Sequence, residues 1–267
     1  MDPSKDYIAI NRASWNNRTD AHIHSEFYDM PSFWAGKSSL KEIELPLLGD
    51  LRGKSVLHLQ CHFGQDSISL SRLGAKVTGV DLSDKAIDKA REIATEAGSD
   101  AQFICCDIFD LRNHLEGQFD VVFASYGTIG WLPDLNKWAS IVEHYLKPGG
   151  KFVFVEFHPV IWMFDEQFQG IQYSYFNTGA IAECETGTYA DKQANISQDY
   201  VMWNHNLSEV MGSLLQNGLQ IEHFDEFDYS PYDCFNNTTE FEPGKFRIVN
   251  FDSKIPIVYA LVASKTV

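Results

Sequence analysis

Residues 55–81, SVLHLQCHFGQDSISLSRLGAKVTGVD, read as a strand, a tight loop, a helix and a second strand that stops on an acid, Asp81. An open parallel sheet holds an adenosine ligand at such a place. The loop supports one end of the ligand, and the acid accepts both ribose hydroxyls. The loop keeps a single glycine, Gly64, and carries Gln60 and His62 where a phosphate-binding loop carries glycines. Glycines there let the backbone close on a pyrophosphate seated at the following helix N-terminus. Side chains obstruct that approach, and Asp66, in the first turn of the helix, places a carboxylate where the diphosphate charge would lie. The same carboxylate suits the positive end of the helix dipole. The stretch therefore favours an adenosine ligand without phosphates, of which S-adenosylmethionine (SAM) is the common one.

Further motifs follow in order: VTGVDLS, FICCDIFDL, FDVVFASYGTIGWLPD and LKPGGKFVFVEFHP. With VLHLQCHFG at their head, from about Gly53 to Pro159, they resemble a class I SAM-dependent methyltransferase. The departures are His58 for the usual acid, and Gln60 and His62 for the first two glycines of G-x-G-x-G. The LQCHFGQD spelling, with NRASWNNRTDAHIHSEFYD upstream, resembles a less characterised branch of that family. The implied fold is α/β: a doubly wound, mostly parallel seven-stranded sheet with an N-terminal helical cover over 1–50. The SAM-binding domain then spans 51–267, with an aromatic-rich insertion at about 160–204 folded as hairpins over the site.

Local signals agree with that plan. Strands are expected near 55–59, at AKVTGV before Asp81, at AQFICC, at FDVVFA and at KFVFVEF, each short, apolar and bounded by polar turns. Helices are expected at about 65–73, from Ser83 to Ala97, and from Leu135 to Leu146 before a break at Lys147-Pro148-Gly149-Gly150. Asn206 and Glu209 form a capping pair for LSEVMGSLLQNG. LQIEHFDEF and IPIVYALVAS read as closing strands, which pair antiparallel at the sheet edge in the resembled family.

With 267 residues the chain fits one large α/β domain with an insertion. The formal charge of −16, with no basic block, argues against nucleic acid, whose binding draws on clustered Lys and Arg. No apolar run reaches the roughly 20 residues of a membrane span, and no signal-peptide core opens the chain. Five cysteines without a C-x-x-C pair read as reduced thiols of a cytoplasmic protein. Oligomeric state is expected to be monomer or homodimer.

For the cofactor, Asp81 is the ribose acid, and Leu82 packs on the adenine. Asp107 resembles the family residue that accepts from the adenine amine, with the Ile108 N–H serving the ring. Gly64 and Gln65 line the methionine side, Cys61 lies in the loop, and the carbonyls of Leu59 and Gln60 face the methionine ammonium. Ser125 and Tyr126 sit between cofactor and acceptor in the resembled fold. Trp131 and Trp15 line the acceptor pocket. Methyl transfer is an in-line displacement that needs alignment, and a base only for a protonated nucleophile. Candidate bases are Glu156 and His158 at the end of the fifth strand, and His24 and Tyr28 from the cover. His58, Cys61 and His62, or His22 with His24, are an unpersuasive metal set, because structural zinc sites use paired spacings; no metal is expected. Absence of an N-P-P-Y type signature weighs against planar amides and base amines. The aromatic cover suits an apolar or cationic small acceptor. A peptide acceptor, an NAD-dependent oxidoreductase and a SAM-binding module without turnover stay as alternatives.

Overall fold

A computed structural model describes residues 6–266. Strand β1, Ser55–Leu59, is buried along Val56, Leu57, His58 and Leu59, the near-continuous burial of a central parallel strand. It pairs in parallel with β2, Lys76–Asp81, on one side and with β4, Phe119–Ser125, on the other. Strand β3, Gln102–Cys105, extends the sheet beyond β2, and β5, Leu146–Phe157, extends it beyond β4. The two closing strands are β8, Leu219–Phe227, and β11, Val258–Lys265. Sheet order is β3-β2-β1-β4-β5-β11-β8, with β11 antiparallel to both neighbours. Strand order reverses between β1 and β4, which opens a crevice at their carboxyl ends.

Helices α4 (Gln65–Arg72), α5 (Asp84–Glu96), α6 (Leu135–Tyr145) and α7 (Leu207–Gln216) fill the crossovers. The Ser83 hydroxyl caps α5 by accepting the Ala86 N–H at 3.0 Å, and Ile87, Ala90, Ile93 and Ala94 form its buried stripe. Asn206 caps α7 by accepting the Glu209 N–H at 3.0 Å. Glu209 does not return the bond; its carboxylate reaches Asn177. One apolar core, around Trp138, Phe152, Phe154 and Tyr259, lies on one side of the sheet, and another, around Phe33, Phe63, Ile87 and Phe123, on the other. Among the described residues no helix is long and apolar enough to cross a membrane.

Three features differ from expectation. The strand expected from Lys151 starts at Leu146, which already pairs with Phe119; after a register shift Lys151 pairs with Val121, so 147–150 bulges the strand without breaking it. The 160–204 insertion contains one antiparallel hairpin, β6 (Ile181–Thr186) with β7 (Ser197–Met202). Residues between the closing strands form a further hairpin, β9 (Thr238–Glu242) with β10 (Lys245–Ile248), which nothing in the sequence pattern had separated from a loop.

The N-terminal segment is α1 (Tyr7–Ile23), α2 (Met30–Trp34) and α3 (Glu44–Leu48). Helix α1 buries Asn11, Ser14, Arg18, Thr19 and His22, a polar face at helical spacing. Each residue makes at least one hydrogen bond, as burial requires, while His22 Nε2 has no partner among the described residues. Asn11 donates to the Val201 carbonyl and accepts the Val201 N–H, both at 2.8 Å, which ties α1 to β7. Arg18 pairs with Glu185 of β6 at 2.6 Å.

Candidate cofactor and acceptor site

The loop after β1 turns through the left-handed region three times, at Gln60 (φ 53), His62 (φ 50) and Gly64 (φ 76). These are the three positions where the resembled loop carries glycines. A side chain in this conformation costs about 1–2 kcal/mol, and the structure restrains both. Gln60 Nε2 donates to the Thr128 carbonyl at 2.7 Å. His62 donates its backbone N–H to Asp81 Oδ2 at 2.8 Å, and its Nε2 lies 2.9 Å from Nδ1 of His22 on α1. Backbone bonds from Cys61 N–H to Val80 and from Gly64 N–H to Cys61, both 2.9 Å, complete the loop.

Gly64 cannot be replaced in the same way. A Cβ there lies 2.6 Å from the Phe103 ring and 3.0 Å from Ala90 Cβ. Gly64→Ala is expected to destabilise the protein by about 2–4 kcal/mol, the sum of left-handed strain and overpacking. Gly98→Ala is the control, because that glycine has φ 62 with nothing within 4 Å. Urea unfolding of the two variants separates the terms; equal losses would show that Phe103 yields freely.

Asp81 ends β2 with each carboxylate oxygen holding one backbone N–H: Oδ2 that of His62, and Oδ1 that of Ser83 at 2.8 Å. Burial pushes its pKa up to about 6 against the pull of those bonds. Asp107, after β3, caps the turn 108–113 by accepting the Phe109 N–H at 3.0 Å, while the Ile108 N–H has no partner among the described residues. Leu82 lines the same cavity, and its carbonyl accepts from Arg12 Nε at 3.2 Å. Ser125 ends β4, and Tyr126 (φ 47) donates its hydroxyl to Glu44 Oε2 at 2.7 Å. Leu59, the last residue of β1, is buried in the core, whereas Gln60, Cys61, Gly64 and Gln65 line the cavity. The Gln65 amide is committed to the cover, donating to the Tyr28 carbonyl at 2.6 Å.

The cavity at the strand ends measures about 1050 Å³. Its outer walls are aromatic. Trp15 and Trp131 meet edge to face at 5.2 Å, and Tyr200 lies 5.7 Å from Trp131. The Arg18 guanidinium sits 5.3–5.4 Å from all three rings. Trp131 is fixed by its indole N–H donating to the Gly127 carbonyl at 2.8 Å.

The candidate bases fare differently. Glu156 is saturated: its carboxylate accepts the N–H groups of Gly127, Thr128 (2.7 Å), Ile129 (3.2 Å) and Phe157 (2.7 Å), and the Thr128 hydroxyl (3.0 Å). It is a buried anchor for the loop after β4, with no free oxygen for a proton in flight. His158 lies off the cavity; its Nδ1 accepts the Val160 N–H at 3.2 Å, and its Nε2 is 2.9 Å from Glu226 without hydrogen-bond alignment. His24 is exposed at the end of α1, because the helical period turns His22 inward instead. Tyr28 does line the cavity, its hydroxyl 2.5 Å from that of Tyr189, and burial drives its pKa well up. Burial drives His22 and His62 down, to about 2 and about 3, so both imidazoles are neutral at physiological pH. His58 is a core residue, its Nδ1 2.8 Å from the Ser67 hydroxyl. Among the described residues no three His, Cys, Asp or Glu side chains converge as metal ligands. Arg18, Lys41, Tyr189 and Tyr232 belong to the site neighbourhood without having been singled out from sequence; only the odd density of aromatics near 15–34 and 160–204 pointed their way.

Residues 56–150 match the family described as "Methyltransferase domain". Over that segment the chain is similar to methyltransferase domains. Among curated relatives, the ubiquinone biosynthesis O-methyltransferase of Shewanella pealeana is 31% identical over 125 residues, 47% of this chain and 52% of that protein. The chain spans about half the length of the curated relatives it matches. Solved structures extend the likeness across the fold. A SAM-dependent methyltransferase of Mesorhizobium loti aligns with TM-score 0.60 and 22% identity over 87% of this chain and all of that one. The geranyl diphosphate C-methyltransferase of Streptomyces coelicolor, bound to Mg2+, geranyl diphosphate and S-adenosylhomocysteine, aligns at 0.55 with 16% identity, covering 85% and 78%. The seven-stranded, mostly parallel sheet therefore has the Rossmann-like fold of these solved methyltransferase structures. The matched segment ends before Glu156 and excludes α1 and both hairpins, so of the aromatic wall Trp131 lies inside it and Trp15 and Tyr200 outside.

Proposed function

We propose that this protein transfers a methyl group from SAM to a small-molecule acceptor, releasing S-adenosylhomocysteine. The observation that carries the reading is the loop that keeps three left-handed turns with a single glycine, Gly64, and delivers the His62 N–H to Asp81. The residues fit the cofactor. Each Asp81 oxygen has one N–H donor and a remaining lone pair, one for each ribose hydroxyl. Leu82 and Ile108 flank the adenine, the unpartnered Ile108 N–H faces the ring, and Asp107 takes the amine. The Gln60 carbonyl, which accepts no hydrogen bond among the described residues, is available to the methionine ammonium. Asp66 in the first turn of α4 disfavours a diphosphate there, which weighs against an NAD enzyme.

SAM supplies an electrophilic methyl group on a sulfonium; the protein's part is alignment and exclusion of water. Glu156 fixes the loop 127–129, that loop fixes Trp131, and Trp131 with Trp15 and Tyr200 forms a wall for a flat or apolar acceptor. Of the bases expected from sequence, Glu156 is saturated, His158 and His24 lie off the cavity and burial raises the Tyr28 phenol, which supports an acceptor that arrives nucleophilic. Relatives named for ubiquinone biosynthesis and for geranyl diphosphate point the same way, to small molecules.

Calorimetric titration with S-adenosylhomocysteine tests the reading, with micromolar binding expected and no heat at millimolar ligand overturning it. A metabolite extract incubated with isotopically labelled SAM then identifies the acceptor. Binding should also depend on pH. Asp81 accepts both hydroxyls only when ionised, and its raised pKa of about 6 means that it protonates as pH falls through that value. Affinity for S-adenosylhomocysteine is expected to be about tenfold weaker at pH 5 than at pH 7, one pH unit below the pKa costing a factor of about ten. A flat profile between those values would remove Asp81 from the ribose.

A further inference from the structure

The side of the cavity built by the β6–β7 hairpin carries a carboxylate that no cation neutralises. Glu183, half-buried on β6, lines the cavity and accepts the Tyr173 hydroxyl at Oε1 and the Tyr200 hydroxyl at Oε2, the latter at 2.7 Å. Two phenols supply hydrogen bonds but no charge, and each carboxylate oxygen keeps a free lone pair. Among the described residues, the Lys and Arg side chains that line the cavity are engaged elsewhere. Arg18 pairs with Glu185 at 2.6 Å and Lys37 with Asp29 at 3.4 Å. Lys192 donates to the Phe235 carbonyl at 2.9 Å, and Lys41 lies 4.4 Å from the Tyr232 ring centroid.

A second unmet group lines the same cavity. Asn204, just after β7, is 3% exposed. Its Nδ2 donates to the carbonyls of Ser174 at 2.9 Å and Trp162 at 3.4 Å, which fixes the orientation of the amide. Its Oδ1 has no partner among the described residues. A buried oxygen without a donor is costly, and a ligand N–H removes that cost. Both groups call for a donor, and Glu183 calls for a positively charged one. The neighbouring aromatic wall already holds one cation, the Arg18 guanidinium, 5.3–5.4 Å from Trp15, Trp131 and Tyr200. Glu185 meets that charge, so Arg18, Glu185 and Glu183 together carry one excess negative charge.

We propose that Glu183 binds a cationic amino group of the methyl acceptor, beside the wall of Trp131 and Tyr200. This assignment rests on the function proposed above and narrows its acceptor to a small molecule with an ammonium head. A protonated nitrogen has no lone pair, so the ammonium anchors the molecule while a separate, unprotonated atom takes the methyl group.

Three probes share a phenol ring and a two-carbon arm and differ only at the end of that arm: tyramine (ammonium), tyrosol (hydroxyl) and 3-(4-hydroxyphenyl)propionate (carboxylate). Calorimetry on protein saturated with S-adenosylhomocysteine is expected to show tyramine binding at least about tenfold tighter than either of the others. Glu183→Gln should weaken tyramine by about tenfold, to the level of tyrosol, with tyrosol and S-adenosylhomocysteine each within about twofold of native. A purely structural Glu183 would move tyrosol as far as tyramine, because Tyr173 and Tyr200 would be released for both probes. Where Glu183→Gln does not fold, Glu183→Asp keeps the charge and withdraws it by one methylene. That variant should weaken tyramine by about threefold and leave tyrosol unchanged. The proposal is overturned by carboxylate binding equal to or tighter than that of tyramine, by no tyramine binding at about 10 mM, or by a tyramine preference that survives in Glu183→Gln. S-adenosylhomocysteine binding then leaves the cofactor reading standing. Failure of the native protein to bind S-adenosylhomocysteine overturns the cofactor reading instead, and the ranking of the three probes on the protein alone decides the ammonium site.

Discussion

Asp81→Ala is expected to weaken S-adenosylhomocysteine binding by about a hundredfold, or about 3 kcal/mol. Two hydrogen bonds to an ionised carboxylate are at stake, each contributing about 1.5–3 kcal/mol, and the loss is less than their sum because water can replace the missing oxygens. Stability should move less than affinity. The substitution leaves the His62 and Ser83 N–H groups without acceptors, but it also removes a carboxylate whose ionisation burial resists. Those effects oppose one another, and the N–H groups border a cavity that water can enter. Asp81→Asn sharpens the test. It keeps one acceptor oxygen and offers a donor where the ribose also donates, so its affinity should fall nearly as far as that of the alanine variant. Calorimetry at pH 7 reads affinity, and urea unfolding reads stability. An Asp81→Ala protein that binds with native affinity would place the ribose elsewhere.

The parts of this architecture that repeat a local period were legible in the sequence. Strand β1 was expected at 55–59 and is observed at Ser55–Leu59; β2 ends on Asp81; Ser83 and Asn206 cap the helices they were assigned to. Apolar alternation and cap chemistry are encoded within a few residues, so a short window carries them. The cover is different. Helix α1 buries Asn11, Ser14, Arg18 and His22, and no apolar stripe announces that face. Those side chains are buried only because Val201, Glu185 and His62, distant in sequence, complete their hydrogen bonds. That is why the sequence points to His24 as a candidate base, whereas the helical phase turns His22 inward. Strand β5 tells the same story at shorter range. Pro148, Gly149 and Gly150 read as a break, yet the carbonyls of Phe119, Asp120 and Lys147 crowd Gly150, and a bulge absorbs them within the strand.

The loop after β1 sets the limit of what motif spelling conveys. Missing glycines signalled an altered site, and the altered residues are indeed those that need outside support. Gln60 is held by the Thr128 carbonyl and His62 by Asp81 and His22, so the loop geometry is sustained by the β4 loop and the cover together. Where the resembled loop is flexible enough to turn by itself, this one is fixed by its neighbours.

That dependence leads to the second large effect, at Glu156. Glu156→Ala is expected to destabilise the protein by about 4 kcal/mol. Four backbone N–H groups and the Thr128 hydroxyl lose their acceptor in a site where Glu156 itself is only 2% exposed. A buried donor left unpaired costs about 1–3 kcal/mol, and the sum is reduced because the chain relaxes and some groups find water. Cofactor affinity should fall with stability, since residues 127–129 carry the Thr128 carbonyl that holds Gln60. Glu156→Gln discriminates anchor from base. A base replaced by its amide leaves fold and cofactor affinity intact and abolishes turnover. An anchor replaced by its amide aims an NH2 group at N–H donors, so it loses about 2 kcal/mol of stability and part of its cofactor affinity before any acceptor is added. Urea unfolding and S-adenosylhomocysteine calorimetry on that variant give the answer without knowing the acceptor. Native stability and native affinity in Glu156→Gln would return Glu156 to the list of bases.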